Sequence, residues 1–396
     1  MVFKSRPNKV GVFVLKNYLH GVNNPKVVII GGGLAGLTAA LDLAQRGKQV
    51  LVIEKNPYPN HKVCGEYVSN EVKPYLKHLG MELSSLDLPE IDTLQLSTQT
   101  GKLIEVRLPL GGFGISRYAF DYELFQLAEK KGVDFLFETV VDVQFMDNEF
   151  EVTLTSKEKI SGKMVLGAFG KRSNLDLKWN RAFIQQKSPW LGIKAHYKNI
   201  GHPSNVVGLH NFPGGYGGLS LTEEGDVNFC CLVKYESFKK ESGIAAFNQN
   251  VVSQNPILKD FLANSEVTFE KPLSIAQISF EKKRAVENHI LMCGDTAGLI
   301  HPLCGNGMAM AIHSAKLAAE QVAMFLEKPN FTRKDMEKEY QMLWERNFRK
   351  RLWMGRRLQD LMLHTKWFNL GMYTLANSKP LLREMIKRTH GNPIVA

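Results

Sequence analysis

Three glycines with a fixed spacing mark the part of the sequence where chemistry is best indicated. Gly31, Gly33 and Gly36 follow a β-branched run and precede an alanine-rich stretch that begins with Leu34 and Ala35. In a G-x-G-x-x-G turn, the first glycine permits a tight bend and the second lets backbone approach a pyrophosphate. The third lets helix and strand pack closely. Because the phosphates would lie at the positive end of a helix, the pattern predicts a dinucleotide site.

An acidic residue follows this turn at the expected distance. Glu54 lies 18 residues after Gly36, at the end of a second β-branched strand, and Lys55 comes next. An acid at this place accepts hydrogen bonds from an adenosine ribose and favours a free 2′-hydroxyl. A turn that merely uses glycines is the plainer alternative, but strand, helix and acid together favour a dinucleotide. The pattern alone does not choose between FAD and NAD.

A second glycine-rich stretch, CGDTAGLIHPLCGNGM, lies between a short buried strand and a long helix predicted at about 308–326. It resembles the second flavin motif of the p-hydroxybenzoate hydroxylase-fold superfamily, and it is most similar to the geranylgeranyl reductase-like branch. The resemblance implies FAD, with Asp295 on the ribityl chain and backbone amides on the pyrimidine edge of the isoalloxazine. A helix start there would favour the negative charge of reduced flavin. The cofactor contacts implied at this site are Gly294, Asp295, Gly305, Asn306, Gly307 and Met308.

Two further segments resemble the same superfamily. In RYAFDYE, Arg117 corresponds to an arginine near the cofactor, although a surface charge at a helix start would explain it as well. In KVCGEY, the resemblance implies that Cys64 and Gly65 approach the flavin ring, so that Cys64 and Glu66 become candidate catalytic residues. A buried, inert cysteine is the competing interpretation.

Reduction of a double bond by hydride transfer also requires a proton for the second carbon. Cys64, Glu66, Tyr67 and His301 are the candidate sources, the first three in the loop near the flavin and His301 before the Pro302 turn. A loop histidine with satisfied hydrogen bonds is the alternative for His301.

Two departures from the superfamily pattern limit what the resemblance implies, the first about contacts to cofactor or reductant and the second about substrate identity. Phe169 stands where an aspartate is usual in VLGAFGKRS, so any contact made by that acid does not carry over. Gly218 stands where a tryptophan is often expected in the aromatic strand motif of the reductases.

The same fold supports several reactions, so the fold alone does not decide among them. No Gly-x-Trp-x-Trp-x-Ile-Pro motif is present, which disfavours a halogenase, and Gly298 replaces the histidine common in aromatic hydroxylases. We expect an FAD-dependent oxidoreductase that reduces a double bond in a hydrophobic lipid, isoprenoid or polyketide-type substrate, free or bound to a carrier protein. NAD(P)H would dock transiently as the electron donor, because no second nucleotide fingerprint exists. An aromatic or polyketide monooxygenase and a non-catalytic flavin-binding accessory protein remain alternatives.

The order of predicted strands and helices indicates an α/β fold with a discontinuous architecture. We expect a Rossmann-type, p-hydroxybenzoate hydroxylase-like FAD-binding domain with an inserted antiparallel substrate-binding sheet and C-terminal helices. The boundaries we expect are a flexible N-terminal extension at 1–25, an FAD-binding domain at 26–72, 99–180 and 286–330, a sheet domain at 73–98 and 181–285, and basic helices at 331–396.

Charge and cysteine content limit the remaining properties. The net charge of +11 resides at the ends: 1–25 carries four Lys/Arg and no acid, and 331–396 carries 14 Lys/Arg against six Asp/Glu. No nucleic-acid motif accompanies this charge. We therefore expect packed terminal helices, or a surface that meets a membrane, an anionic amphiphile or a carrier protein. Five cysteines without metal spacing, and no apolar run long enough to span a bilayer, predict reduced thiols, no metal and a cytoplasmic protein with peripheral membrane contact at most.

Overall fold

The computed structural model describes residues 26–363 and 378–395. The predicted extension at 1–25 and part of the predicted terminal helices therefore lie outside the described residues. The strands, numbered β1 to β18 in chain order, are Val27–Ile30, Val50–Ile53, Tyr67–Ser69, Glu90–Ser97, Leu103–Gly114, Asp134–Leu136, Val140–Met146, Glu149–Leu154, Lys159–Gly162, Met164–Gly167, Trp190–Lys198, Val206–Phe212, Gly215–Leu221, Val227–Lys234, Glu266–Val267, Leu273–Ala276, Val286–Glu287 and Ile290–Met292. The helices, numbered α1 to α10 in the same way, are Leu34–Gln45, Lys73–His78, Arg117–Lys130, Asn174–Lys178, Tyr235–Phe238, Ile244–Asn250, Pro256–Ala263, Gly307–Glu327, Arg333–Leu363 and Lys379–Thr389.

The dinucleotide-type unit is built on a mostly parallel sheet with the strand order β17-β18-β10-β1-β2-β6. Strand β1 lies in parallel between β10 and β2, with Ile30 opposite both Gly167 and Ile53. These strands are buried along their whole length, which explains why they read as continuous apolar runs. Helices α1 and α8 pack against each other next to this sheet. Both glycine motifs therefore belong to one unit.

A larger sheet of mostly antiparallel strands forms the second layer, in the order β15-β11-β14-β13-β12-β4-β5-β3, with β16 also paired to β11. Directly opposed residues of neighbouring strands share a face of a sheet. Lys194 opposes Cys230, Cys230 opposes Gly218, and Gly218 opposes Leu209, so these four residues lie on one face. The other face carries an apolar cluster that includes Phe229 and packs against residues of α6 and α7.

The strand pairing changes two of the predicted domain ranges. We placed 99–180 in the FAD-binding domain, but β5 pairs with β4 from Thr93 opposite Arg107 to Ser97 opposite Leu103. Strand β3, from within 26–72, pairs with β5 as well. Both strands therefore belong to the large sheet. The residues of β7, β8 and β9 form a small separate antiparallel sheet.

The C-terminal helices pack across the two layers. Helix α9 contacts α8, and α10 contacts both α9 and β5. The buried positions of α9 include Tyr340, Trp344, Phe348 and Leu352, which recur every four residues and form one apolar stripe against the core. No helix in the described ranges is long and apolar enough to cross a membrane.

Candidate functional site

The two glycine motifs meet at one cavity of about 310 Å³ between the two main sheets. Gly33, Leu34 and Ala35 line it from the first motif, and Asp295 lines it from the second. The second motif also contributes Gly294, Gly305, Asn306, Gly307 and Met308. Two stretches that are more than 250 residues apart in the sequence are thus brought together, as a single extended ligand would require.

The glycines of the first turn act through close backbone packing. Gly31 has a φ of +102°, and a Cβ there would lie 2.4 Å from the carbonyl oxygen of Ala168. A Cβ on Gly36 would lie 1.9 Å from the carbonyl oxygen of Gly31. A larger residue at Gly31 would collide with the turn after β10, and one at Gly36 would push the start of α1 away from the turn at Gly31. Gly33, in contrast, opens onto the cavity.

Two cations stand beside Gly33. A Cβ at Gly33 would lie 3.4 Å from the Arg117 guanidinium and 3.8 Å from the Lys62 ammonium. Arg117 holds both carboxylate oxygens of Asp121 at 2.7 Å, and Lys62 lies 2.9 Å from Asp121. Burial acts to raise the pKa of Asp121, but Arg117 and Lys62 outweigh it and hold this pKa below its usual range. Arg117, Lys62 and Asp121 together therefore carry one excess positive charge, which suits a pyrophosphate.

Glu54 is engaged with the turn itself. Its carboxylate accepts hydrogen bonds from the backbone N–H of Gly32 at 2.7 Å and of Asn56 at 3.2 Å. Glu54 is buried and Lys55 is exposed, and neither belongs to the cavity lining. The ribose contact of Glu54 and the cofactor contact of Lys55 stay predictions.

The second motif is shaped by left-handed glycines and a helix start. Gly294 and Gly305 have φ values of +59° and +61°, and α8 begins at Gly307. The N–H of Gly294 donates to the Ser314 hydroxyl at 2.8 Å. Asn306 donates to the carbonyl oxygen of Thr389 at 2.8 Å, while its side-chain oxygen has no hydrogen-bond partner among the described residues. That buried acceptor is available to a ligand.

Two buried cations support the backbone of this motif and were missed by the sequence reasoning. Lys283 donates to the carbonyl oxygen of Asp295 at 2.7 Å, and burial lowers the Lys283 pKa to about 8. Arg181 donates to the carbonyl oxygen of Thr296 at 3.2 Å and pairs with Asp176 at 2.8 Å. Successive carbonyl groups of the motif are thus fixed from outside it. The partners are more than 10 residues away, so no local motif could indicate them.

The loop at 62–66 is held by side chains at four successive carbonyl groups. Lys194 donates to the oxygen of Lys62 at 3.2 Å, Lys171 to that of Val63 at 2.7 Å, Asn228 to that of Cys64 at 3.2 Å, and Ser220 to that of Gly65 at 2.8 Å. Three of these donors lie on the cavity-facing side of the large sheet. The sheet therefore fixes the loop that presents Cys64 and Gly65 to the cavity.

Glu66 is an ion-pair partner of two side chains at the cavity wall. It is fully buried with a φ of +56°, and its carboxylate contacts the Lys194 ammonium and the His196 ring, the latter at 2.6 Å. It also accepts a hydrogen bond from the backbone N–H of Arg117 at 2.6 Å. Burial acts to raise the Glu66 pKa, but His196 and Lys194 lower it below its usual range. The Glu66 carboxylate is thus held by ion pairs at the cavity wall, and its role as a proton source stays a prediction. Its ligand atoms and those of His61 and His196 lie within 4.8 Å, yet Lys194 already neutralises the charge that a metal ion would need.

His301 also stands apart from the chemistry assigned to it. It is buried outside the cavity lining, stacks on Phe280 at 3.8 Å between ring centroids, and contacts Gln359 through Nδ1. Burial lowers its pKa to about 4, so the ring is neutral near pH 7. His301 does not line the cavity, and its ring is uncharged near pH 7. Neither observation supports its predicted role as a proton source.

The remaining wall of the cavity is aliphatic. Leu94 and Leu209 line it from the large sheet, Leu358 and Met362 from α9, and Ile386 from α10. Tyr67 and Tyr216 also line it, but both hydroxyls are engaged. The first donates to the carbonyl oxygen of Gly111 at 3.2 Å, and the second accepts from the N–H of Leu303 at 3.3 Å. Cys64 and Cys230 are half-buried thiols on this wall.

The residues present fit FAD. The Gly33 opening beside two cations suits the pyrophosphate, and Asp295 lines the same cavity. Gly305 to Gly307 present a helix start with an unpaired amide oxygen nearby. The arrangement defines a protein with a Rossmann-type unit and a flavin-type second motif facing a substrate sheet.

Comparison with known proteins agrees with this class. Residues 24–330 match the FAD binding domain family, and the chain belongs to that family. It is an FAD-dependent oxidoreductase with the predicted p-hydroxybenzoate hydroxylase-like fold, and both predictions are confirmed.

Individual relatives differ in their reactions. The chain is 23% identical over 342 residues to a digeranylgeranylglycerophospholipid reductase of Methanosarcina acetivorans, covering 80% of each chain. It is 23% identical over 321 residues to a menaquinone reductase of Mycobacterium tuberculosis, covering 74% of this chain and 75% of the relative. The solved structure of the flavin-dependent brominase Bmp2 superposes with a TM-score of 0.76 at 18% identity, covering 92% of this chain and 93% of the brominase. The brominase likeness concerns the fold alone.

Proposed function

We propose that this enzyme reduces a carbon–carbon double bond in an aliphatic lipid, isoprenoid or polyketide-type substrate, free or bound to a carrier protein. The observation that carries the proposal is the aliphatic wall next to both flavin motifs, with Leu94, Leu209 and Met362 among its residues. An apolar pocket of this kind binds a hydrocarbon chain and offers few polar groups to orient a phenol. The reductase relatives agree with this substrate class.

Bound FAD, reduced by NAD(P)H or another donor, would supply a hydride to one carbon of the double bond. The chain must provide the rest. The sheet-held loop at 62–66 fixes the Cys64 thiol at the cavity wall, and the aliphatic side chains exclude water from the reacting carbons. We assign to Cys64 the proton that the second carbon receives, so that one hydride and one proton complete the reduction.

The test offers reduced enzyme a digeranylgeranylglycerophospholipid or a menaquinone without oxygen and follows the mass of the isoprenoid chain after fragmentation, since reduction of a quinone ring to a quinol also adds two hydrogens. We expect a gain of two hydrogens for each double bond reduced. A gain of one oxygen in air with NAD(P)H, or of a halogen atom with halide and oxygen, would instead establish a monooxygenase or a halogenase. Bound FAD with no product under any of these conditions would favour the accessory protein.

Two variants assign the roles of the residues. Gly36→Ala should abolish the visible flavin absorbance of the purified protein, because its Cβ would clash with the Gly31 carbonyl. Gly201→Ala, in an open loop, is the matched control and should keep FAD. Cys64→Ala should lower the rate of product formation about 10²-fold or more while flavin reduction by the donor continues. Equal rates in Cys64→Ala and the wild type would remove the thiol from the mechanism.

A further inference from the structure

Helix α9 carries an exposed stripe that the flavin site does not use. Met342, Arg346, Arg349, Trp353 and Arg357 recur at intervals of three or four residues and all are exposed, so they lie on one face. Lys350 is exposed next to this face. We call these six residues the α9 stripe.

The composition of the α9 stripe is unusual for a solvated helix face. Among the residues that the structure describes, none of its four cations has a carboxylate oxygen within 4.0 Å, although other cations of the chain form such pairs. Met342 and Trp353 are each 51% exposed. The Arg357 guanidinium lies 5.5 Å from the centre of the Trp353 ring, so a cation lies beside the exposed indole.

The same helix reaches the cavity from its other side. Leu358, Leu361 and Met362 line the cavity, and Leu358 directly follows Arg357 of the stripe. The last turns of α9 therefore separate the aliphatic cavity from a cationic outer face. A surface that binds the stripe would lie next to the cavity wall.

We propose that the α9 stripe binds an anionic lipid bilayer, with the Trp353 ring at the level of the headgroups. Cations on the outer face would pair with lipid phosphates, and exposed Trp and Met side chains would enter the interface, as in helices that lie on membranes. The apolar residues within the stripe favour lipid over nucleic acid or an acidic protein, which the cations alone would also attract. The idea that the bilayer supplies substrate to the cavity rests on the proposed function. Binding of the α9 stripe to the bilayer does not depend on that function.

Flotation of the FAD-loaded full chain with vesicles tests the proposal. We expect binding to vesicles of phosphatidylcholine mixed with phosphatidylglycerol, little binding to phosphatidylcholine alone, and release by high salt. Changing all four stripe cations to Gln should weaken binding about a hundredfold or more, because each basic residue near an anionic surface contributes roughly fivefold, or about 1 kcal/mol. Changing Lys240 and Lys259 to Gln is the control, since both are exposed lysines that lie elsewhere. This control variant should float like the wild type.

Brominated acyl chains identify the face that touches the lipid. They should quench tryptophan emission in the wild type, and Trp353→Phe should lose that quenching while its FAD content is unchanged. Flotation without quenching of Trp353, or equal flotation of the four-Gln variant, would overturn the proposal. So would cation-dependent binding to poly-glutamate with none to vesicles, which would indicate an acidic protein partner. Because vesicle binding needs no turnover, a protein that floats but reduces no lipid would contradict only the proposed function.

Discussion

A lysine and a histidine within a buried strand signal a distant partner. In WLGIKAHYK, Lys194 and His196 alternate with apolar residues and therefore point to the same side of β11. A buried charge is stable only when it is paired, so Lys194 implies a carboxylate nearby. That carboxylate is Glu66, 128 residues earlier in the chain. The strand pattern indicates that a partner exists, but only the tertiary structure identifies it.

Removing the lysine from this pair should destabilise the protein strongly. Lys194→Met leaves the Glu66 carboxylate buried with one charged partner fewer, and we expect a loss of about 3 kcal/mol or more in the free energy of unfolding, measured in urea with FAD present. Adding Glu66→Gln to Lys194→Met should recover part of the loss, since no uncompensated charge remains. Lys198→Met, exposed at the end of the same strand, is the control. A loss no greater than that of the control would show that the pair contributes little.

At the scale of elements, local motifs were predictable and long-range pairings were not. The turn at Gly31 to Gly36 could be read from the sequence because strand, turn and helix are adjacent in the chain. The sheet to which β5 belongs could not be predicted from the sequence. Its register with β4 depends on strands that the sequence separates by irregular loops. The same holds for Lys283, whose support of Asp295 depends on how two loops pack. Nor does the sequence show that Pro302 lines the cavity while His301, next to it in the motif, is outside the lining.

Helix α10 lines one side of the cavity, and the segment after it is anchored at one buried acid. Glu71 is fully buried and accepts a hydrogen bond from Gly391, while its backbone oxygen accepts from the N–H of Ile394 at 2.8 Å. Arg351 of α9 lies 3.5 Å from the Glu71 carboxylate. Burial raises the Glu71 pKa, and Arg351 opposes that rise. The end of the described chain is thus tied to the flavin-binding unit by a charge that needs its partner.

Arg351→Met should loosen this anchor while the flavin unit stays folded. With the Glu71 carboxylate less compensated, we expect amide exchange across 379–394 to rise about tenfold or more, equivalent to about 1.4 kcal/mol of local stability. Arg388→Met is the control, because Arg388 pairs with Glu384 on the exposed surface of α10. Mass spectrometry of exchanged peptides measures the effect. Unchanged exchange in 379–394, or an equal rise across β1 and α1, would contradict a local role for Arg351.

For the whole molecule, burial of neutral histidines ties stability to acid pH. Burial is the main cause that lowers the pKa of four histidines to about 4, from an ordinary value of 6.5; these are His61, His210, His301 and His313. Between those two values the unfolded chain binds protons that the folded protein does not. The stability associated with these groups is therefore complete above pH 6.5 and is lost as the pH falls toward 4.

We expect the free energy of unfolding in urea to fall steeply between pH 6.5 and 4 and to depend on pH more weakly just above that window. Each of these histidines contributes at most about 1.4 kcal/mol per pH unit there. His210→Gln can keep the contact that His210 makes with Ser97 at 2.9 Å, and it should reduce the slope by about one proton. The readout is the slope rather than the stability at neutral pH, so a general loss of packing does not imitate it. For the wild type, the free energy of unfolding could instead depend on pH no more steeply below pH 6.5 than above it. That result would show that these imidazoles gain protons in the folded protein, so that their burial does not govern acid unfolding.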